Sequence, residues 1–364
     1  MGEKEKMLIA LPCLIPTGGI NVVVNMAKVL QKIGYHIELV SESDGEMRQA
    51  FEKLGIKVEI RQSVIEEDYV AFVIDNYNQV LVNTLQMYGM VHELNGTNVR
   101  VSWWIHEPPC YFKEMEACVP QELWDGLKEN VEIYAAGNIV HNYISETYGK
   151  ESKILNFGVT DYADTVEKLE PGLVSRDKIT FLLPSITFQW IKGQDILALA
   201  IEELPEEYQK RTEFVFVGNA IQEMDELYKR ILTLAYKREN VRIFKSMQRD
   251  RLLSMMKAVD CVVAPSREDA TNSCIVEGLM LSKLCICSDM TGVSYYMEDC
   301  VNGFVFPTAN VDELRTRIML IVDNFERLNV IEQNGRKVYE QNFAMNIFEE
   351  NVRRYWGRKG EQIK

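Results

Sequence analysis

The sequence has few of the residues that form metal and disulfide sites. Its four histidines are scattered, without the close spacing of metal ligands. None of its eight cysteines forms a CxxC pair, and the closest two, Cys285 and Cys287, lie in an apolar run. The sequence therefore predicts thiols in the core of a protein from a reducing compartment, rather than disulfide bonds or a metal site.

Positive charge and long apolar runs are also scarce. The 40 lysines and arginines are outnumbered by 54 aspartates and glutamates, which gives a formal net charge of -14. This balance excludes nucleic acid as the main partner, because a polyanion requires a basic surface. The sequence lacks a run of about 18 apolar residues, so we expect no transmembrane helix. Because the start, MGEKEKMLIALP, also lacks the apolar core of a signal peptide, we expect a cytoplasmic protein.

The chain is long enough for about two domains, and its first part predicts a parallel sheet. Residues 7–11 are an apolar strand, Gly18 and Gly19 follow in a turn, and a helix then runs to Gly34. Further strands are predicted at 37–40, 79–83, 99–105 and 133–136. This alternation predicts an open, doubly wound α/β sheet. Ligands bind beyond the carboxyl ends of the strands in such sheets, which points to Gly18, Gly19, His106 and Gly137.

A second alternating series follows a looser segment at residues 156–175, which we interpret as a hinge. Its predicted strands are 179–183, 214–218, 241–244, 261–264 and 284–288, and its predicted helices are 194–203, 222–236 and 250–258. We therefore place one Rossmann-like domain at 1–165 and a second at 166–341. A C-terminal helix at 342–364 is predicted to pack back on the first domain.

The stretch at residues 264–281 combines polar and charged residues at a strand end. Pro265 lacks the amide needed to continue a strand, and residues 271–273 have side chains that cap helices. Glu277 then falls in about the first turn of a helix. Such a helix start binds phosphate through free N–H groups, and Asp269 and Glu277 can accept hydrogen bonds from sugar hydroxyls. The alternative is a solvated pair of acids, which helix starts favour anyway.

Several motifs occur together in a specific order and spacing. They are Gly18-Gly19, Lys192-Gly193 in WIKGQDIL, NVRIFKSMQRDRLLSMMKAVDCVVAPS, PSREDATNSCIVEG and VNGFVFP. With these motifs the sequence resembles the retaining glycosyltransferases of family 4, the glycosyl transferases group 1, over nearly its whole length. The resemblance implies the GT-B fold, in which two Rossmann-like domains face each other, and a nucleotide-diphosphate sugar as the donor substrate.

The resemblance implies which residues bind the donor. Glu277 would bind the ribose hydroxyls, and Lys192 would neutralise the diphosphate. Gly18 and Gly19 would let the backbone of the first domain approach the same phosphates. The other donor-binding residues would contact the sugar and the diphosphate through backbone amides: Thr271, Asn272, Ser273 and Cys274.

The resemblance also implies His106, Asp269 and Lys192 as catalytic residues. Asp269 would lie against the transferred sugar, and His106 would lie near the reacting carbon and the acceptor. Cleavage of a glycosyl–phosphate bond places negative charge on the leaving diphosphate, which a fixed lysine and a helix start stabilise. Since the sequence has no DxD-type motif, we expect no metal cofactor. The alternative for His106 is a structural histidine.

Three departures from the family pattern affect these assignments. The first acid is Asp269 instead of the usual glutamate, and Glu268 beside it is a second candidate. Residues 270–272 replace a Gly-Phe-Gly-like segment, and Pro184-Ser185-Ile186 replaces the usual Gly-Arg after the first strand of the second domain. The arginine of that Gly-Arg pair is therefore missing, and Arg249 and Arg267 are the candidates to supply its positive charge.

Aromatic residues and the tail leave further alternatives open. Trp103, Trp104 and Trp190 are candidates either for stacking on sugars or for the core. The tail, RRYWGRK, is either a solvated helix end or a weak contact for anionic lipids at the inner face of a membrane.

Taken together, these features predict a retaining, metal-independent glycosyltransferase that transfers a sugar from a nucleotide-diphosphate sugar to an acceptor hydroxyl. The acceptor would be a glycan, a lipid-linked molecule or a protein, and the family implies a role in polysaccharide or glycan assembly. One alternative is a nucleotide-sugar epimerase, which acts on the donor without an acceptor. The other is a non-catalytic accessory subunit that keeps the fold and binds the donor.

Overall fold

The chain divides into two compact units in a computed structural model that describes residues 5–16, 18–221 and 225–357. Unit 1 combines Met1–Gly158 with Met345–Lys364, and unit 2 is Val159–Ala344. Val159 and Ala344 form a parallel β-bridge, so the two ends of unit 2 meet. The sequence analysis placed the boundaries after residues 165 and 341.

Unit 1 alternates strands and helices. Its strands are β1 (Lys6–Leu11), β2 (His36–Ser41), β3 (Lys57–Ile60), β4 (Gln79–Asn83), β5 (Arg100–Ile105), β6 (Val131–Ala135) and β7 (Lys153–Ile154). Its first helices are α1 (Gly18–Lys32), α2 (Arg48–Glu52), α3 (Glu67–Asn76), α4 (Tyr88–Leu94), α5 (Pro109–Glu114), α6 (Gln121–Gly126) and α7 (Asn138–Tyr148), with a 3-10 helix at Leu85–Met87. The strands form one parallel sheet in the order β3-β2-β1-β4-β5-β6-β7.

Unit 2 repeats this alternation. Its strands are β8 (Ile179–Thr187), β9 (Thr212–Asn219), β10 (Val241–Phe244), β11 (Cys261–Ala264), β12 (Leu284–Ser288) and β13 (Phe304–Phe306). Its helices are α8 (Gln194–Glu202), α9 (Glu206–Arg211), α10 (Glu226–Lys237), α11 (Arg249–Ala258), α12 (Ser273–Met280), α13 (Val311–Asn324) and α14 (Asn329–Asn342). Short 3-10 helices lie at Trp190–Lys192, Gly292–Tyr296 and Phe325–Arg327. The strands form a second parallel sheet in the order β10-β9-β8-β11-β12-β13.

Burial explains the continuous apolar runs of the central strands. Residues 7–11 of β1 and all residues of β11 and β12 are buried, because a parallel sheet is covered on both faces. Helix α1 buries one face, which includes Ile20, Val23 and Met26. The predicted doubly wound α/β architecture is therefore confirmed.

The last helix of the chain, α15 (Met345–Trp356), packs within unit 1. Its buried residues Phe348, Val352 and Trp356 recur every four positions and so lie on one face. The Trp356 ring stacks on Tyr134 with centroids 4.6 Å apart, and the Tyr35 hydroxyl donates to the Trp356 carbonyl at 2.9 Å. The predicted return of a C-terminal helix to the first domain is confirmed.

Two predictions reach beyond the residues that the structure describes. Residues 222–224 of the predicted helix at 222–236 and residues 358–364 of the predicted C-terminal helix lie outside the described ranges. Within those ranges, no helix combines the length and apolar character needed to cross a membrane. The same ranges contain no group of three or more histidine, cysteine, aspartate or glutamate side chains that could hold a metal ion.

The cysteines are more varied than the sequence analysis predicted. Cys261, Cys285 and Cys287 are buried free thiols in the sheet of unit 2. Cys118 and Cys300 are free but exposed, so the prediction of core thiols is wrong for these two. Both lie in turns between regular elements rather than in the apolar strands that form the core.

Removing the Phe348 side chain tests the packing of α15. This residue is 1% exposed and stacks on Trp104 with a centroid distance of 6.2 Å. We expect Phe348→Ala to lower the free energy of unfolding of unit 1 by about 3–5 kcal/mol, as for other buried aromatic side chains. Chemical denaturation measures the change. Glu350→Ala, at an exposed position of the same helix, is the control, and equal effects of both changes would contradict the packing.

Candidate functional site

The strand order of each sheet reverses beside its first strand. The reversal lies between β1 and β4 in unit 1, and between β8 and β11 in unit 2. Loops that leave the carboxyl ends of strands at such a point diverge and leave a crevice for ligands. Asn83 ends β4, whereas Lys192 and Asp269 follow β8 and β11. Polar and charged side chains therefore occupy the reversal point of each sheet.

Asp269 is the centre of a charged cluster in unit 2. It is 8% exposed. Its carboxylate accepts hydrogen bonds from Lys192 Nζ at 2.6 Å, from Asn272 Nδ2 at 2.9 Å and from the Thr271 backbone N–H at 3.4 Å. These partners compensate the cost of removing a carboxylate from water. Four of the residues predicted from the sequence are thus brought together.

A glycine explains how the loop that carries Lys192 reaches Asp269. The 3-10 helix Trp190–Lys192 ends at Gly193, whose φ is +68°. A Cβ atom at this position would lie 1.9 Å from the carbonyl oxygen of Pro265. Any side chain here would clash, so only glycine lets the loop after β8 pack against the chain that leaves β11.

Glu277 forms a second ion pair, in which the carboxylate is buried and the arginine is half exposed. Helix α12 begins at Ser273, so Glu277 lies one turn inside the helix, and it is 7% exposed. Arg249, at the start of α11, donates to Glu277 Oε1 from Nη2 at 2.6 Å and from Nε at 3.1 Å. Burial raises the pKa of Glu277, and Arg249 opposes this shift. The sequence analysis placed Glu277 beside the amide end of the helix, whereas its partner in the structure is an arginine.

The start of α12 is held by Asn272. Its φ of +74° is unusual for a residue with a side chain, and its Oδ1 accepts a hydrogen bond from the Ile275 N–H at 3.1 Å. Ser273 and Cys274 follow in the first turn, where N–H groups have no partner within the helix. Burial raises the pKa of the Cys274 thiol to about 12. The thiol therefore stays protonated. The backbone N–H of Cys274 is then the group available for the predicted contact with the sugar and the diphosphate.

The two candidate cations have different surroundings. Arg267 donates to both oxygens of Asp195, at 2.8 and 2.6 Å, and its guanidinium lies 4.1 Å from the centroid of the Trp190 ring. Arg267 is thus engaged away from the predicted acids, whereas Arg249 contacts Glu277. The pairing could not be read from the sequence, because it depends on how α11 packs beside α12.

Pro184-Ser185-Ile186, the segment that departs from the Gly-Arg expected from the resemblance, lies at the irregular end of β8. The pairing of β8 with β9 shifts register between Pro184 and Thr187, and the Ser185 hydroxyl donates to the Thr187 carbonyl at 2.6 Å. Ile186 is 59% exposed. Trp190 beyond it is 67% exposed, in contrast to Trp103 and Trp104, whose exposure is 0%. Trp103 and Trp104 therefore belong to the core. Of the three tryptophans, Trp190 remains a candidate for stacking on a sugar.

In unit 1, His106 lies directly after β5 and beside Gly19, which was also predicted as a site residue. Its Nε2 is 2.9 Å from Asn83 Oδ1, and its ring centroid is 4.4 Å from that of Trp104. A Cβ atom at Gly19 would lie 3.7 Å from His106 Cγ, so the start of α1, which was predicted to be a turn, packs against this ring. Burial lowers the pKa of His106 to about 3. The imidazole is therefore neutral at pH 7.

Three residues around His106 were missed by the sequence analysis: Asn83, Thr84 and Glu107. Glu107 Oε2 accepts hydrogen bonds from the backbone N–H groups of Leu85, at 2.9 Å, and His106, at 3.0 Å. Burial raises the pKa of Glu107, while these hydrogen bonds lower it. Thr84 has a φ of +80°, which is strained for a β-branched residue. Asn83 and Thr84 could have been identified from the sequence as candidate site residues, because they lie at the end of the correctly predicted strand β4.

Replacing Gly193 tests the link between Lys192 and Asp269. Gly193→Ala adds the clash with Pro265 to the strain of a positive φ, so we expect it to destabilise unit 2 strongly. Gly172→Ala is the control, because Gly172 has a φ of +85° but no neighbour within 4 Å of its Cβ position. The control should cost about 1–2 kcal/mol of unfolding free energy, as measured by chemical denaturation. A Gly193→Ala protein as stable as the control would show that the close approach to Pro265 is not required.

Part of the chain is similar to a known protein family and to a curated protein. Residues 166–338 match the family model described as glycosyl transferases group 1. An uncharacterized glycosyltransferase of Methanocaldococcus jannaschii is 26% identical over 148 residues, which is 40% of this chain and 39% of that protein. The chain thus spans well under half the length of this curated relative.

Similarity to solved structures extends over almost the whole chain. The structure of Anabaena Alr3699/HepE in complex with UDP and glucose has a TM-score of 0.80 at 19% identity, and covers 96% of this chain and 99% of that one. WaaG, a glycosyltransferase involved in lipopolysaccharide biosynthesis, has a TM-score of 0.69 at 15% identity, with 97% and 100% covered. The chain therefore has the GT-B fold, and its residues 166–338 match the glycosyl transferases group 1 model.

Proposed function

We propose that the protein is a retaining, metal-independent glycosyltransferase that moves a sugar from a nucleotide-diphosphate sugar to an acceptor hydroxyl. The observation that carries this proposal is the pair of buried carboxylates at α12 with their cations. Asp269 and Lys192 are 2.6 Å apart, as are Glu277 and Arg249. Both pairs flank the start of one helix beside the reversal point of the sheet, where an anionic ligand with hydroxyl groups fits best.

The donor would be held by charge and by hydrogen bonds. Its diphosphate would bind Lys192 and the free N–H groups at the start of α12. Its ribose hydroxyls would donate to Glu277, which Arg249 helps to keep ionised. Uridine donors are the first to test, because the Anabaena protein of the same fold was solved with UDP-glucose.

The same groups would stabilise the leaving group. When the bond between the anomeric carbon and the phosphate oxygen breaks, its electron pair passes to the diphosphate. Lys192 and the helix N–H groups are already in place to stabilise that charge, which is the task a divalent metal performs in other transferases. Asp269 is engaged by three donors, so we assign it to stabilising the positive charge of the sugar rather than to nucleophilic attack.

His106 would act on the acceptor. A neutral imidazole can accept a hydrogen bond from a hydroxyl group and so orient its oxygen for attack on the anomeric carbon. Glycan or polysaccharide assembly is the proposed setting, in line with the biosynthetic role named for WaaG.

Two substitutions separate donor binding from transfer. Glu277→Gln keeps the shape of the side chain but loses the charge, so we expect the donor Kd to rise about 10–100-fold, the range for hydrogen bonds to a charged group. His106→Ala should mainly lower kcat, by about 100-fold or more. Calorimetry and product assays measure the two effects. Controls are Glu206→Gln and His36→Ala, whose side chains are largely exposed, and unchanged kinetics in both test variants would remove these assignments.

Donor binding should also depend on pH. Because burial raises the pKa of Glu277, this carboxylate gains a proton at a higher pH than an ordinary glutamate. The affinity for the donor should therefore fall as the pH is lowered through that pKa, and the Glu277→Gln variant should lack this dependence.

A panel of UDP-, GDP- and dTDP-sugars assayed with EDTA tests the function itself. We expect nucleotide release with a suitable acceptor and retention of the anomeric configuration in the product. A requirement for added metal, or the absence of binding by every donor, would contradict the proposal. Conversion of the donor without an acceptor would indicate an epimerase, and binding without turnover would indicate an accessory subunit.

A further inference from the structure

Asn83 makes one side-chain hydrogen bond and leaves its amide nitrogen unused. The residue is 0% exposed, and its Oδ1 lies 2.9 Å from His106 Nε2. Its Nδ2 is buried and, among the residues that the structure describes, has no hydrogen-bond partner. A buried N–H group without a partner costs stability. Asn83 is therefore poorly suited to a purely structural role.

Asn130, in the same unit, shows what a structural asparagine does. Its Nδ2 donates to the carbonyl groups of Leu94, at 2.9 Å, and Val99, at 2.8 Å, and its Oδ1 accepts from the Gly96 N–H at 2.8 Å. These bonds hold the backbone of a turn. The bond of Asn83 goes to an imidazole ring instead.

The contact determines which nitrogen of the ring carries the proton. In the structure the oxygen of the Asn83 amide faces the ring, and because an amide oxygen can only accept a hydrogen bond, His106 Nε2 is the donor. In a neutral imidazole, Nδ1 then holds the lone pair. Burial, which lowers the pKa of His106 to about 3, keeps the ring in this neutral state.

The other neighbours fix the ring but do not choose its tautomer. Trp104 lies beside its face, and the backbone of Gly19 approaches its Cγ and Cδ2 edge. Glu107, the ionisable group in contact with His106, accepts from the backbone N–H rather than from the ring. The hydrogen bonds of the imidazole to described residues are confined to Nε2.

We propose that Asn83 is a positioning residue that holds His106 as the Nε2–H tautomer, so that Nδ1 is the atom that accepts a hydrogen bond from the substrate hydroxyl. The assignment of the hydroxyl rests on the proposed function. The tautomer does not, because it is a property of the free protein.

Nitrogen-15 NMR of histidine-labelled protein tests the tautomer directly. The sequence has only four histidines, and His106→Gln assigns the signal of interest. We expect wild-type His106 to show the Nε2–H pattern, and Asn83→Leu to show a mixture of both tautomers. Asn83→Asp keeps an oxygen acceptor and should retain the Nε2–H form. A wild-type Nδ1–H form, or an unchanged tautomer in Asn83→Leu, would overturn the inference.

Stability and turnover provide the second measurement. Since Asn83→Leu removes a buried amide nitrogen that has no partner, we expect the Tm of this variant to be at most slightly below that of the wild type. Its kcat should fall at least 10-fold, with little change in the donor Kd. Asn130→Leu is the matched control: it should lower the Tm clearly and leave the His106 tautomer and the kcat of the folded protein unchanged. A fully active Asn83→Leu protein would overturn the positioning role. If the tautomer shifts as expected in a protein that transfers no sugar, the positioning of the ring stands and the proposed function fails.

Discussion

A carboxylate that is removed from water requires compensating partners, and this constraint shapes the candidate site of unit 2. Asp269 and Glu277 are both less than a tenth exposed. Each is met by a cation from a different element, Lys192 after β8 and Arg249 at the start of α11. Since neither cation is near its acid in sequence, the packing of several elements is needed to place them. The close approach of Gly193 to Pro265 brings the loop that carries Lys192 to the chain that carries Asp269.

Unit 1 meets the same constraint by a different route. Its buried carboxyl group, Glu107, is matched by backbone N–H groups rather than by a cation. Its histidine avoids the cost of a buried charge by remaining neutral, since burial lowers its pKa. One unit thus offers fixed charges suited to phosphate, and the other offers a neutral acceptor suited to a hydroxyl group. These properties correspond to the two substrates of the proposed reaction.

Much of the fold could be predicted because the central strands are continuous apolar runs. The predicted strands at 241–244 and 284–288 match β10 and β12 residue for residue. Strand β3 was missed because charged and apolar residues alternate over Lys57–Ile60, which leaves no continuous apolar run. Strands β7 and β13 were missed because they have only two and three residues. A period of two or of 3.6 residues cannot be recognised in such short segments.

The candidate site was only partly accessible from the sequence. Asp269 and Glu277 carry a motif, and Lys192 follows a predicted strand, so these residues could be named. The partner of Glu277 could not, because Arg249 lies on another helix and nothing in its local sequence marks the contact. Asn83 has no motif at all. Its importance comes from an unpaired amide and a bond to a ring, which are visible only after β4 and β5 are placed side by side.

The meeting of Val159 with Ala344 makes unit 2 an insertion in the chain of unit 1. The Val159 N–H donates to the Phe343 carbonyl at 2.8 Å, so this domain begins and ends at one place. On the other side of the junction, a Cβ atom at Gly158 would lie 2.7 Å from Met345 Sδ, so the two cut ends of unit 1 are also neighbours. Such a domain can be replaced by another one without rearranging the rest of the chain. Removing it altogether would also leave unit 1 continuous, since residue 158 could be joined to residue 345. Recombination could therefore pair one inserted domain with different hosts while preserving both cores.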